Sequence, residues 1–141
     1  MDIPELRRKA DSGNVVAQSI LGNCYLDGTD VAVDYEEAFR LLSSAARQGA
    51  SRAKANLARM HVEGLGIPKN LPEAIRLFEA AAKAGEFFAQ VGLARIHSQG
   101  LGPPADSDAA LKWYSAAAAQ ADRIAECEEL REARAYVAKA R

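Results

Sequence analysis

The sequence repeats itself at an interval of 36 residues. Several kinds of position follow this interval at once, which chance would not produce, and internal repeats of this length are typical of helical arrays. The clearest columns are Ala17/Ala53/Ala89, Leu21/Leu57/Leu93, Gly28/Gly64/Gly100, Ala38/Ala74/Ala110 and the pairs Ala45-Ala46, Ala81-Ala82 and Ala117-Ala118. The interval therefore restricts the chain to a stack of similar units, each burying the apolar face of its neighbour.

The pattern of apolar residues in each unit predicts two antiparallel helices, which we call helix A and helix B. In the first unit, apolar residues recur with helical spacing over about residues 14–27 for helix A and about 35–48 for helix B. Glycines follow the predicted helices, where they allow the left-handed conformation that ends a helix. The residues that precede helix B in the three units are good N-caps, namely Asp34, Asn70 and Asp106.

The register of the repeat extends over nearly the whole chain, so it predicts one domain over residues 1–141. The first residues align with the second half of a unit and should form helix B alone. The predicted parts are an N-terminal half-repeat (1–13), three repeats (14–49, 50–85 and 86–121) and a C-terminal capping helix (122–141).

The C-terminal segment departs from the period. Glu129 stands where leucine is expected, and Leu130 follows it. We therefore expect a polar capping helix over about residues 123–139, with Asp122 as its N-cap, rather than a fourth repeat. Terminal elements of repeat arrays need such polar outer faces to stay soluble.

The spacing of these residues resembles the Sel-one-like repeat (SLR), a branch of the tetratricopeptide-like α/α repeat superfamily. The resemblance implies an all-α fold: a right-handed α/α superhelical solenoid of about three helix-turn-helix repeats with N- and C-terminal capping helices. In the first unit the matching residues are Ala17, Leu21-Gly22, Tyr25, Gly28, Val31, Asp34, Ala38, Ala45-Ala46 and Gly49.

Three departures from the family pattern are informative. The helix A tyrosine is replaced by His61 and His97 in the later units. The second loop glycine is Asp30 in the first unit, and aspartate tolerates the left-handed conformation better than most residues. The paired cysteines of the extracellular branch of the family are missing, which argues against that branch.

The composition excludes several classes of protein. A formal net charge of −1 disfavours non-specific binding to nucleic acid or to an anionic membrane. No apolar run approaches the length of a membrane span, and the N-terminus does not resemble a secretory signal. Since only Cys24 and Cys127 are present, without a disulfide framework, we expect a reducing, cytoplasmic location. We also expect a monomer.

Function should lie at helix A positions that vary between repeats while the core columns keep their residue type. By resemblance, helix A lines the concave surface, so we expect a partner peptide or loop to bind there. The variable positions of helix A include Val16 and Ile20. The predicted partner-binding residues are Asn23, Asp27, Arg52, Asn56, Arg59, Glu63, Phe88, Arg95 and Gln99.

Arginines and a phenylalanine are the strongest candidates in this set. Arg59 and Arg95 occupy equivalent positions and could together hold a carboxylate of the partner, or they could simply bridge to Glu63 and Gln99. Phe88 could present an apolar anchor. One of Phe87 and Phe88 is expected to pack under a neighbouring helix instead.

The sequence offers no convincing catalytic set. His61 and His97 share one column and could bind a metal weakly, but no further ligand column accompanies them, and interhelix packing is the favoured interpretation. No nucleophile, base and orienting residue can be assembled. We expect a non-enzymatic adaptor without a cofactor, whose partner is another protein. An inhibitor or immunity-type protein that neutralises a bacterial toxin or effector is the alternative.

Overall fold

The computed structural model describes residues 2–140, and these residues form eight α-helices and no strand. The expectation of an all-α protein is therefore confirmed. The helices are α1 (Ile3–Asp11), α2 (Val15–Asp27), α3 (Tyr35–Arg47), α4 (Ser51–Glu63), α5 (Leu71–Lys83), α6 (Phe87–Gln99), α7 (Ser107–Ala118) and α8 (Glu128–Lys139). Helices α2 and α3, the first A and B helices, begin and end within one residue of the predicted positions.

The chain divides into two compact units, Met1–Leu77 and Phe78–Arg141. Helices α1 to α4 belong to the first unit, and α6 to α8 belong to the second. The boundary between the units falls inside α5, so this helix contributes residues to both.

The first unit is held by helices that pack on their neighbours in the chain. Helix α1 packs on α2, α2 on α3 and α3 on α4, and α2 also contacts α4. One core cluster of this unit is made of Ala10, Ala17, Leu21 and Leu41, with Ile3, Leu6 and Tyr25 packed against it. Helix α1 therefore buries an apolar face against α2 and α3.

Helices α2 and α3 approach each other closely at Gly22. A Cβ atom at Gly22 would lie only 2.8 Å from Cγ of Leu42 and 3.3 Å from Cβ of Leu41. Both leucines are fully buried, so they have little freedom to move aside. Gly22 thus lets the two helices of the first repeat approach closely.

The helix ends follow the predicted chemistry. Gly28, Gly64 and Gly100 end the A helices in the left-handed conformation, with φ angles of 74°, 68° and 61°. Asp30 also has a positive φ of 61°, as expected from its place in the glycine column. The side chains of Asp34, Asn70 and Asp106 each accept a backbone N–H three residues later and so cap the B helices.

The second unit has a core of its own. Helix α6 packs on α7 and α7 on α8, and α6 also contacts α8. Its central residues are Phe87, Val91, Ala94, Ala110, Tyr114, Ala117, Leu130 and Ala133. Leu130 is buried while Glu129 is not, which explains why the leucine is shifted by one position from the expected register.

The C-terminal helix begins later than the sequence suggests, and the expectation of a helix from about residue 123 is wrong. Residues 119–123 form turns in which the N–H groups of Arg123 and Ile124 are bonded to the carbonyl of Gln120. Helix α8 starts only at Glu128, after an extended residue, Cys127. Glu128 and Glu129 then occupy the first turn, where the helix dipole favours negative charge. Asp122 is therefore not the N-cap of this helix.

Candidate functional site

An exposed stripe runs along helix α2 of the first unit. Its residues are Val16, Ile20, Asn23 and Asp27, whose spacing places them on one side of an α-helix. The first two are large apolar side chains in contact with solvent, since Val16 is 67% exposed and Ile20 is 38% exposed. The stripe therefore begins apolar and ends polar, a combination that suits the docking of another protein.

Polar pairs connect the lower part of this stripe to helix α4. The side-chain amide of Asn56 donates to Oδ1 of Asn23 at 3.1 Å. The guanidinium of Arg59 donates to Oδ1 of Asp27 at 2.7 Å. Successive A helices of the first unit are thus joined along the face on which the sequence predicts a partner to bind.

The charges on this face are balanced. Arg59 lies between two carboxylates, because its Nε is also 3.3 Å from Oε2 of Glu63. The bridge from Arg59 to Glu63 is one of the two interpretations that the sequence allows, and it is present. Asn56 is only 6% exposed, so its amide serves the α2–α4 contact more than the surface. Arg52, at the beginning of α4, is exposed.

The second unit contains three of the predicted residues, all on helix α6. Phe88 is half-buried against the core of this unit, and its ring meets that of Phe87 edge to face at 5.0 Å. Phe87 is buried, so one of the two phenylalanines packs in the interior, as expected. Gln99 is exposed at the end of α6.

Arg95 forms an ion pair with the C-terminal helix. Its guanidinium donates to both carboxylate oxygens of Glu132 on α8, with Nε 2.8 Å from Oε2 and Nη2 2.6 Å from Oε1. The hydroxyl of Tyr114 donates to the same carboxylate at 2.6 Å. Arg95 therefore joins α6 to α8, whereas the sequence predicted either a bridge to Gln99 or a partner carboxylate shared with Arg59.

This network shifts two pKa values. The hydrogen bonds from Arg95, and then the one from Tyr114, hold the pKa of Glu132 below its usual value. Burial, followed by the hydrogen bond to Glu132, raises the pKa of Tyr114. Glu132 is thus charged and Tyr114 neutral near pH 7, which keeps the network intact there.

The two histidines take the place of Tyr25 in the repeat. Nδ1 of His61 and of His97 is buried and has no hydrogen-bond partner within residues 2–140. Among the same residues, no group of three or more His, Cys, Asp and Glu side chains is arranged to hold a metal ion. Within the described part of the chain, no helix has the length and apolar character needed to cross a membrane.

Sequence reasoning did not select Val16 and Ile20 from the variable helix A positions, and it missed Glu132. Val16 and Ile20 belong to the variable helix A positions, and exposure is what distinguishes them from core residues of the same type. Glu132 lies outside the predicted set, although Tyr114 and Arg95 both bind it. The shifted leucine at 130 was the signal that this helix turns another face inward.

The helical hairpins and their columns of small residues define an α/α repeat protein of the solenoid class. The family model of the Sel1 repeat matches three segments, residues 15–49, 51–86 and 88–122. The chain therefore belongs to the Sel1 repeat family, as its resemblance to Sel-one-like repeats implies. Sel1 repeat proteins generally mediate protein–protein interactions.

Solved structures of similar proteins include the following two. A Sel1 repeat protein from Oxalobacter formigenes is 35% identical, with a TM-score of 0.76 and 98% of each chain covered. The protein c5321, a protective antigen of uropathogenic Escherichia coli strains with an SLR fold, is 26% identical with a TM-score of 0.80. The alignment with c5321 covers 98% of this chain and 33% of the larger protein. No curated protein matches the chain.

Proposed function

We propose that this protein is a non-enzymatic adaptor that binds another protein through the exposed face of its A helices. The observation that carries the proposal is the α2 stripe, in which Val16 and Ile20 are exposed beside the polar pairs Asn23–Asn56 and Asp27–Arg59. Exposed apolar side chains at neighbouring positions are costly in water unless a partner covers them.

The polar pairs support this role because they fix the helices that present the stripe. Ion pairs and amide contacts between α2 and α4 hold the two helices in one arrangement, so little order is lost when a partner binds. Val16 and Ile20 would provide the apolar contact, and Asp27, Arg59 and Glu63 would form the polar rim. Arg52, Phe88 and Gln99 remain candidates for further contacts.

Charge and cysteine chemistry agree with a protein partner in a reducing compartment. A formal net charge of −1 gives no general attraction to nucleic acid. Cys24 and Cys127 are both thiols, and burial raises the pKa of Cys24, which makes it less reactive. We infer a cytoplasmic location and no catalytic activity, in agreement with the scaffold character of the family.

The proposal is tested with the double substitution Val16→Asp/Ile20→Asp. Both side chains are exposed, so the thermal midpoint should change by no more than a few degrees. Partners captured from the native host by the tagged parent protein, and quantified by mass spectrometry, should fall at least tenfold with the variant.

The matched control is Val33→Asp, because Val33 is a large apolar residue that is 50% exposed but lies in the loop after α2. Its capture of partners should equal that of the parent. Equal capture by the α2 variant and the parent would show that the helix A face is not the binding surface.

A further inference from the structure

A second surface of the first unit contains a groove on a different face of helix α4. The groove has a volume of about 570 Å³ and lies among α3, α4 and α5. Its α4 residues are Lys54, Leu57 and His61, whereas Asn56, Arg59 and Glu63 of the same helix face α2 or solvent. The groove is therefore separate from the helix A surface to which the adaptor role is assigned.

Lys54 replaces a glutamine that donates a hydrogen bond to a helix B carbonyl in the other two repeats. Its equivalents are Gln18 and Gln90, which are buried and donate to the carbonyls of Ala10 and Ala82 at 3.2 and 3.3 Å. In the middle repeat the equivalent carbonyl is that of Ala46, and no glutamine amide of residues 2–140 donates to it. Lys54 therefore occupies a position at which the other two repeats have a buried glutamine amide.

A second set of equivalent positions also has a different residue in the middle repeat. Gln48 donates to Oε1 of Gln18 at 3.1 Å, and Gln120 donates to Oε1 of Gln90 at 2.9 Å. The residue at the corresponding position of the middle repeat is Ala84, which has no amide to donate. Both members of the amide pair are thus replaced in the repeat whose helix A lines the groove.

Several polar groups of the groove have no partner within the described part of the chain. Oγ of Ser43 and Nδ1 of His61 are buried and have no hydrogen-bond partner among residues 2–140. The side chains of Arg47 and Lys54 form no ion pair within the same described residues. The carboxylate of the groove, Glu73, is already bound by Arg76 on the same helix.

The walls of the groove are apolar. Phe39, Leu57 and Leu77 line it beside the cationic groups, and Ala46 forms part of its floor. A ligand that fits must supply an acceptor with negative charge and an apolar portion next to it. A carboxylate flanked by apolar side chains meets both needs, whereas inorganic phosphate supplies only the charged acceptor.

We propose that this groove binds an acidic peptide segment of a partner protein, in which a glutamate or aspartate is flanked by apolar residues. Lys54 and Arg47 bind the carboxylate, and Ser43 and His61 donate to it from the inner part of the groove. Phe39, the half-buried apolar side chain of the groove, covers the neighbouring apolar side chain of the peptide.

The test uses ¹⁵N-labelled full-length protein and the tripeptide acetyl-Leu-Glu-Leu amide, followed by NMR titration. We expect saturable shifts of the backbone amides of Lys54, Leu57 and His61. The uncharged peptide acetyl-Leu-Gln-Leu amide should bind about tenfold more weakly, since it lacks the charge that Lys54 and Arg47 recognise.

Two variants locate the site. Lys54→Gln introduces the residue that repeats one and three already use, and it should weaken binding of the Glu peptide about tenfold. Lys83→Gln, an exposed lysine at the end of α5 outside the groove, should have no effect. If Lys54→Gln does not give the dispersed spectrum of the folded parent, Arg47→Gln replaces it, because Arg47 is exposed.

The proposal is overturned if the Glu peptide causes no saturable shifts, if the Gln peptide binds equally well, or if both Lys54→Gln and Lys83→Gln bind like the parent. Inorganic phosphate is titrated in parallel. Shifts caused by phosphate alone would show a simple anion site and would also reject the peptide. Lys54→Gln does not alter the helix A stripe. A negative result for the groove therefore does not contradict the adaptor proposal, which is tested with Val16→Asp/Ile20→Asp.

Discussion

Both units of the molecule contain the same hydrogen-bonded pair of glutamines, but the first unit also contains a lysine at one equivalent position. Gln18 with Gln48 in the first unit, and Gln90 with Gln120 in the second, form an amide pair that reaches a helix B carbonyl. The first unit alone also contains Lys54 at the equivalent position of its second helix A. The two buried glutamines bind a helix B carbonyl, whereas Lys54 lines a groove.

The terminal helices of the two units show a second contrast. In the first unit the terminal helix supplies the cation, because Arg7 of α1 binds Glu37 and the hydroxyl of Tyr25. In the second unit the terminal helix supplies the anion, because Glu132 of α8 binds Arg95 and Tyr114. Both terminal helices use a tyrosine and an arginine–carboxylate pair, but the terminal helix carries the arginine in the first unit and the carboxylate in the second.

The apolar contacts of the two terminal helices are unequal, and this gives the largest expected effect. Leu130 of α8 is 1% exposed, whereas Leu6 of α1 is only half-buried. Leu130→Ala should lower the free energy of unfolding by about 2–5 kcal/mol, and Leu6→Ala by about 1–2 kcal/mol. Urea unfolding followed by circular dichroism measures both. Equal losses would show that the two ends are anchored alike.

The amide pair gives an intermediate effect. Gln18→Ala removes a buried donor and acceptor and leaves Ser44 and Gln48 without their shared partner, so it should cost about 1–2 kcal/mol. Lys54→Gln, at the equivalent position, should change stability by less than about 0.5 kcal/mol. Thermal unfolding of the two variants beside the parent measures the difference. A large loss with Lys54→Gln would mean that the lysine is structural and not available to a ligand.

Much of the fold could be read from the period of the sequence. Helix positions, glycine ends and aspartate caps depend on neighbours within a few residues, so the repeated pattern at Gly28, Asp34 and their equivalents was sufficient. The start of α8 was not, because an extended Cys127 and the turns before it are specific to one segment without a repeat to compare. Local sequence patterns thus predict the helix ends that recur in each repeat, but they do not predict the start of the terminal helix.

The candidate sites depend on contacts that spacing does not reveal. The columns Gln18/Lys54/Gln90 and Gln48/Ala84/Gln120 were visible in the sequence, but their meaning required the amide contacts. Likewise, Arg59 and Arg95 share a column and yet bind different partners, Asp27 and Glu132. Residues at equivalent positions share a backbone environment, while their side-chain partners are set by the neighbouring helices.

The smallest expected effect concerns acid stability and the two carboxylates of the terminal networks. Hydrogen bonds from Arg40 and then Arg7 lower the pKa of Glu37 to about 2 from a usual value of 4.5. As the pH falls below the usual value, the unfolded chain takes up a proton that folded Glu37 still refuses, so stability is lost between about pH 4.5 and pH 2. Since the group is partly exposed, we expect this loss to be about 1 kcal/mol.

The variant Glu37→Gln isolates this contribution from those of the other carboxylates. It should be less stable than the parent at pH 7, and its further loss on acidification should be smaller than the parent's by the same amount of about 1 kcal/mol. Glu36→Gln is the control, because Glu36 is the exposed neighbour of Glu37 on α3. Glu132→Gln should also reduce the acid loss, since Arg95 lowers the pKa of Glu132 as well. An unchanged acid dependence in Glu37→Gln would mean that the first unit does not use this pair to hold α1, and that the resemblance between the two ends is limited to geometry.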